Sequence, residues 1–189
     1  MNSRNIYLIG FMGAGKSTVA EYLCRNYQMN QVEMDEQIQQ EQGMTISRIF
    51  EEKGEEYFRK LETDLLKRLS LQSSTVVSCG GGTAMRECNV EIMKKNGRIV
   101  WLCAEPETVY ERVKDCHNRP LLEGNMNVEY IRTLLEKRTP KYKAAADFCV
   151  ATDKKSTRRI CEEIMEKMKE AYYGPQKSQK IPFCFEKNT

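Results

Sequence analysis

From Gly10 to Ser17 the chain reads Gly-Phe-Met-Gly-Ala-Gly-Lys-Ser, the spacing G-x-x-x-x-G-K-[ST]. Glycines so spaced let the backbone curl until successive N–H groups point at one anion. Lys16 then reaches the β and γ phosphates of a nucleotide, and the Ser17 hydroxyl offers an oxygen to Mg²⁺. Gly13, Ala14, Gly15, Lys16, Ser17 and Thr18 form the cradle, at a helix N-terminus whose dipole favours negative charge. The plainer alternative is a glycine-rich turn capping a strand. The D-x-x-G and N-K-x-D strings of GTPases are absent, which leaves kinases, motor-like ATPases and non-catalytic nucleotide binders.

Other residues suit phosphoryl transfer. Glu33-Met34-Asp35 sets two carboxylates at period two, on one side of an extended chain. Beside bound ATP such a pair organises the water shell of Mg²⁺ and takes a proton from an attacking hydroxyl. Alternatively, Asp35 only caps a following helix. Gly80-Gly81-Gly82 is entropically costly and permits close backbone approach, or else forms a flexible turn. Arg59 and Arg138 carry planar forks that grip a carboxylate or phosphate in bidentate fashion, although helix arginines are commonly solvated. Arg119 lies in a polar, turn-rich segment, where an arginine can close over a transferring phosphoryl group. His117 in the same segment is read as decoration.

These residues must be held by a frame. Short apolar runs at Asn5–Ile9, Gln31–Met34, Ser74–Cys79, Arg98–Cys103 and Phe148–Thr152 predict strands. Longer segments at Lys16–Asn26, Thr45–Glu52, Glu55–Leu71, Glu87–Lys95, Pro106–Lys114, Val128–Lys143 and Ser156–Ala171 predict helices. Strands alternating with helices give an α/β fold with a mostly parallel sheet. In such sheets ligands sit beyond the carboxyl ends of the strands, and the first three strands end at the glycine loop, the acidic pair and the triple glycine. Asp115–Asn127 breaks the alternation and reads as a lid or binding loop.

The 189 residues suit one domain with its own core. With 30 basic and 27 acidic residues, the net charge of +3 is too balanced to draw nucleic acid or an anionic membrane. The eight cysteines form no C-x-x-C pair and mostly sit among apolar neighbours, as expected of free thiols in a reducing compartment. No zinc ligand set is spaced for binding. The opening apolar run ends after about eight residues, too few for a signal peptide, and no run approaches the roughly twenty of a membrane span. A cytoplasmic protein is expected.

In order, the strings resemble the shikimate kinase family, within the nucleoside monophosphate kinase-like P-loop fold, from about Ile6 to Met168. Gly54-Glu55-Glu56-Tyr57-Phe58-Arg59-Lys60-Leu61-Glu62 is similar to that family's G-E-x-x-F-R-x-x-E string. Arg119-Pro120-Leu121-Leu122 and Arg138-Thr139-Pro140-Lys141-Tyr142 follow in the family's order. The resemblance implies a five-stranded parallel sheet sandwiched by helices, in one domain of residues 1–171. A lid at about 115–127 and a tail at 172–189 complete the expected organisation. It implies ATP-dependent phosphorylation of the 3-hydroxyl of shikimate, giving shikimate 3-phosphate and ADP on the route to chorismate and aromatic amino acids. Asp35, Lys16 and Arg119 would be catalytic; Asp35, Arg59, Gly80, Gly81, Gly82 and Arg138 would hold shikimate. Gly13 to Thr18, Arg112 against adenine, and Arg119 would hold ATP. One Mg²⁺ per subunit would lie at Ser17 and, through water, Glu33. A monomer is expected. Glu33 departs from the family's usual aspartate, and Lys154 and Lys155 give no sharp match to its adenine loop. A kinase for gluconate, an aminated shikimate or a nucleoside monophosphate is one alternative, and a nucleotide-binding regulator without turnover is another.

Overall fold

The computed structural model describes residues 4–114 and 127–173. Strand β1 (Asn5–Ile9) is buried along its whole length, as a central strand covered on both faces must be. Four more strands join it in parallel: β2 (Asn30–Glu33), β3 (Thr75–Ser78), β4 (Gly97–Cys103) and β5 (Phe148–Ala151). Their spatial order is β2-β3-β1-β4-β5, with Tyr7 opposite Val77 on one side and Ile99 on the other. The five-stranded parallel sheet expected from the sequence is therefore present. Because the chain builds β2 and β3 to one side of β1 before crossing to β4, a crevice opens at the carboxyl end of β1.

Side-chain alternation divides the core between the two faces of the sheet. Ile6, Leu8, Val76, Val100 and Leu102 pack on α1 (Lys16–Tyr27) and α8 (Thr157–Tyr173) through Val19, Leu23, Cys161 and Ile164. Tyr7, Ile9, Val77, Ile99 and Trp101 face the opposite layer. That layer holds α2 (Met34–Gln42), α3 (Ile46–Lys53), α4 (Glu55–Leu69), α5 (Glu87–Asn96) and part of α7 (Val128–Ala145). A smaller cluster joins Phe11 to Val109 and Val113 of α6 (Pro106–Val113) and to Ile131 and Leu135 of α7.

Several boundaries differ from the sequence expectation. The strand expected to run through Met34 stops at Glu33, and Met34 opens α2, a helix the apolar pattern did not mark. Helix α4 ends at Leu69 rather than Leu71, because Leu71 is 89% exposed and gains nothing from continuing the buried stripe. Helix α8 continues to Tyr173, two residues past the expected end. The expected lid, Asn127 excepted, and the tail beyond α8 lie outside the described residues. Among those described, no helix is long and apolar enough to cross a membrane.

Candidate active site

The glycine loop leaves β1 at Gly10, whose φ of 141° and contact with the next strand admit no side chain. A Cβ there would fall on the Leu102 carbonyl. Lys16 Nζ donates to the carbonyls of Gly10 (3.0 Å) and Phe11 (3.1 Å), so the ammonium sits over the loop. Gly15 takes the N-cap position of α1 and has no side chain to accept from the first-turn N–H groups. Such amides form an anion cradle. Ser17 and Thr18 follow in the exposed part of that first turn.

Arg112, near the end of α6, pins the loop from the far side. Its Nη1 donates to the Gly13 carbonyl and to Thr152 Oγ1, both at 3.0 Å, and its Nη2 donates to the Thr152 carbonyl. One guanidinium thus joins the phosphate loop to the segment after β5. Across the loop, Ser17 Oγ donates to Glu33 Oε2 at 2.9 Å, and Gln31 Nε2 donates to Glu33 Oε1 at 3.0 Å. A hydroxyl and a carboxylate at that spacing are hard oxygen donors of the kind magnesium accepts, usually with water completing the shell. The residues present therefore fit the ion.

A second cluster of charged side chains is built on Gly80-Gly81-Gly82, the loop after β3. Three side chains from three elements reach it. Asp35 Oδ1, from the first turn of α2, lies 2.7 Å from where a Cβ on Gly80 would stand. Arg138 Nη1, from α7, lies 3.5 Å from the corresponding point on Gly81, and the Arg59 guanidinium carbon, from α4, lies 2.6 Å from that on Gly82. None of the three glycines has a positive φ. Their role is to let charged groups close on the backbone, not to relieve a strained turn. Arg138 also lies over the Phe11 ring, 5.4 Å from its centroid, which ties this cluster to the phosphate loop.

Asp35 is not the cap of its helix. Glu33 holds the N-cap position of α2, and Asp35 stands inside the first turn. There its charge is favoured by the helix dipole and its carboxylate projects to the glycines. Arg119 lies outside the described residues. Lys16, Ser17 and Glu33 meet at the loop after β1, and Asp35, Arg59 and Arg138 meet at the glycines after β3, while Arg112 joins the loop to Thr152 after β5.

Two residues assigned no role from sequence belong to this site. Glu62 is fully buried and accepts hydrogen bonds from Arg59 Nη1 (2.7 Å) and from Thr83 Oγ1. Burial pushes its carboxyl above the ordinary range, the Arg59 charge and the Thr83 hydroxyl oppose the rise, and the Asp35 charge adds to it. Tyr142, also fully buried, donates its hydroxyl to the Gly81 carbonyl at 2.6 Å. The spacing from Arg59 to Glu62 and from Arg138 to Tyr142 signals a shared helix face in each case. It does not signal burial.

The chain was compared with known proteins. The family model for shikimate kinase matches residues 12–169. A shikimate kinase of Dehalococcoides mccartyi is 42% identical over 166 residues, spanning 88% of this chain and 94% of that one. One from a Sulfurihydrogenibium species is 43% identical over 166 residues, spanning 88% and 98%. Among solved structures, the shikimate kinase from Acinetobacter baumannii in complex with shikimate superposes with a TM-score of 0.84 at 33% identity, over 90% of this chain and 96% of that one. Sequence identity across nearly the full length of these relatives, together with the matching sheet and helices, leads to one assignment: the chain belongs to the shikimate kinase family.

Proposed function

We infer that the chain catalyses ATP-dependent phosphorylation of shikimate, at the 3-hydroxyl, releasing shikimate 3-phosphate and ADP on the route to aromatic amino acids. The observation that carries this reading is the convergence of Asp35, Arg59 and Arg138 on the three glycines after β3. Two guanidinium groups suit a single carboxylate, glycine backbone amides suit neighbouring hydroxyls, and a carboxylate suits the hydroxyl that attacks.

In the reaction, the acceptor oxygen forms a bond to the γ-phosphorus while the bond from phosphorus to the bridging oxygen of ADP breaks. The hydroxyl proton passes to Asp35, which also aligns the oxygen for in-line attack. Lys16 offsets charge on the β and γ phosphates, and the amides of Gly13 to Thr18 hold them in place. Ser17 directly, and Glu33 through water, would hold Mg²⁺, which neutralises phosphate charge when bound. Arg112 borders the nucleotide half and offers a flat guanidinium for the adenine ring. Arg119 enters the proposal through its place in the sequence, as a cation for the transferring group. Arg119→Ala should lower turnover far more than ATP affinity, and a turnover number within about twofold of the parent removes that role. A monomer in the cytoplasm is part of the same reading, checked by a solution mass near 22.0 kDa.

The test is a coupled ADP-release assay run in parallel with shikimate, gluconate and nucleoside monophosphates. ADP release that depends on shikimate supports the reading. Faster release with gluconate or a nucleotide replaces it with another small-molecule kinase, and ATP binding without release for any acceptor makes the chain a nucleotide-dependent regulator.

A further inference from the structure

We propose that Tyr142 is a positioning residue for the acceptor, acting through Arg138 and Gly81, and that it links the acceptor pocket to the indole of Trp101. The inference rests on the shikimate reading above and goes beyond it, since that reading gives Tyr142 no role.

Tyr142 stands one turn beyond Arg138 on α7 and is fully buried. Its phenol oxygen does two jobs. It donates to the Gly81 carbonyl at 2.6 Å, and it stands beside the Arg138 guanidinium, both closing on Gly81, where an added Cβ would meet Arg138 Nη1 at 3.5 Å and the Tyr142 oxygen at 3.9 Å. With its proton given to the carbonyl, the hydroxyl turns only lone pairs to the neighbouring cation. Because the peptide after Gly81 is planar and trans, fixing its carbonyl also fixes the direction of the Gly82 N–H on the opposite edge. One hydroxyl therefore sets the orientation of a backbone amide in the β3 loop and of a side chain on α7. These are two of the groups that face the acceptor.

The ring of Tyr142 is fixed in turn. It stacks on Trp101 of β4, with centroids 6.1 Å apart and planes 27° from parallel. Trp101 is nearly fully buried and is the sole tryptophan of the chain. The strand beneath the pocket thus anchors the hydroxyl, and any shift of Arg138 or Gly81 on acceptor binding reaches the indole through one ring.

Tyr142→Phe keeps the ring and removes the hydroxyl. Removing a buried hydroxyl that leaves its carbonyl acceptor unsatisfied commonly weakens a dependent interaction about tenfold. Shikimate binding, measured by calorimetry, should weaken by about that factor in Tyr142→Phe while ATP binding stays within about twofold. In an Arg138→Ala background the same substitution should cost at most about threefold, because the residue it orients is gone. A purely structural role would weaken both ligands, or weaken shikimate equally in both backgrounds, and either result overturns the proposal. Unchanged shikimate affinity in Tyr142→Phe also overturns it while leaving the parent activity standing. Failure of the parent chain to bind shikimate overturns both. A measurement without substitution guards against a variant that does not fold. Saturating shikimate should shift or quench the Trp101 emission of the parent, and emission that does not move counts against the link.

Discussion

Arg59 Nη1 and Glu62 Oε2 lie 2.7 Å apart on one face of α4, with the Glu62 side chain fully buried and that of Arg59 18% exposed. The arginine that closes on Gly82 is therefore held from behind by a carboxylate with no access to water. Removing Arg59 leaves the buried Glu62 with only the Thr83 hydroxyl, whereas Arg59 without Glu62 keeps its second partner, Glu55, at 2.8 Å.

The pH dependence of stability follows from that burial. The Glu62 carboxyl is raised above the ordinary glutamate value of 4.5 chiefly by desolvation. A carboxyl raised on folding holds its proton more tightly in the folded state. Its contribution is present below the unfolded value and lost as pH climbs through the folded one. Glu62→Gln does not titrate there. Its melting temperature should therefore improve relative to the parent as pH climbs above about 4.5. A difference that stays flat or shrinks over that window would mean the burial term does not dominate.

Gly82→Ala tests the packing of charge on backbone. The added methyl would overlap the Arg59 guanidinium, the far end of a flexible side chain, and φ at Gly82 is −97°. The protein should fold normally and the arginine should swing away from the loop. The Michaelis constant for shikimate should rise about tenfold, with that for ATP nearly constant, the direction also expected of Arg59→Ala. Equal changes for both substrates would show that the loop serves the whole crevice.

Gly10→Ala should behave differently. Here the obstacle is the Leu102 carbonyl, part of the central sheet, and the φ of 141° is itself unfavourable for a side chain. Neither can move cheaply, so a loss of about 3 kcal/mol or more in unfolding free energy is expected, measured by urea denaturation. A loss under about 1 kcal/mol would contradict the tight contact between the loop and β4.

Arg112→Ala removes the bridge from Gly13 to Thr152. The Michaelis constant for ATP should rise about tenfold while that for shikimate changes little, since the bridge lies on the β4 and β5 side of the loop. A larger effect on shikimate would place Arg112 in the wrong half of the site.

Much of this was legible in residue order. The inner strands were visible because parallel strands buried on both faces read as apolar runs, as in Ile6-Tyr7-Leu8-Ile9, whereas edge strand β2 is exposed to half-buried and offers only Val32. The phosphate loop was visible because its chemistry demands particular residues at fixed spacing. Helix α2 was not, because Met34-Asp35-Glu36-Gln37-Ile38 offers only Met34 and Ile38 to the core, too thin a stripe to announce a period. Glu62 and Tyr142 were present in recognisable strings, yet a glutamate on a helix reads as solvated until the neighbouring layer is known. What hides Glu62 is α4 facing the loop after β3, a relation between segments far apart in the chain.

The strand order has a consequence for how specificity can change. On the proposed reading, what grips the acceptor from the β2–β3 flank can be redrawn by substitutions in α2, α4 and one loop, without disturbing the β4–β5 flank where Arg112 and Thr152 meet. Arg138 is the exception, reaching over from α7. New acceptors are thus open to selection on one wing of the sheet while the energy source on the other wing is inherited intact.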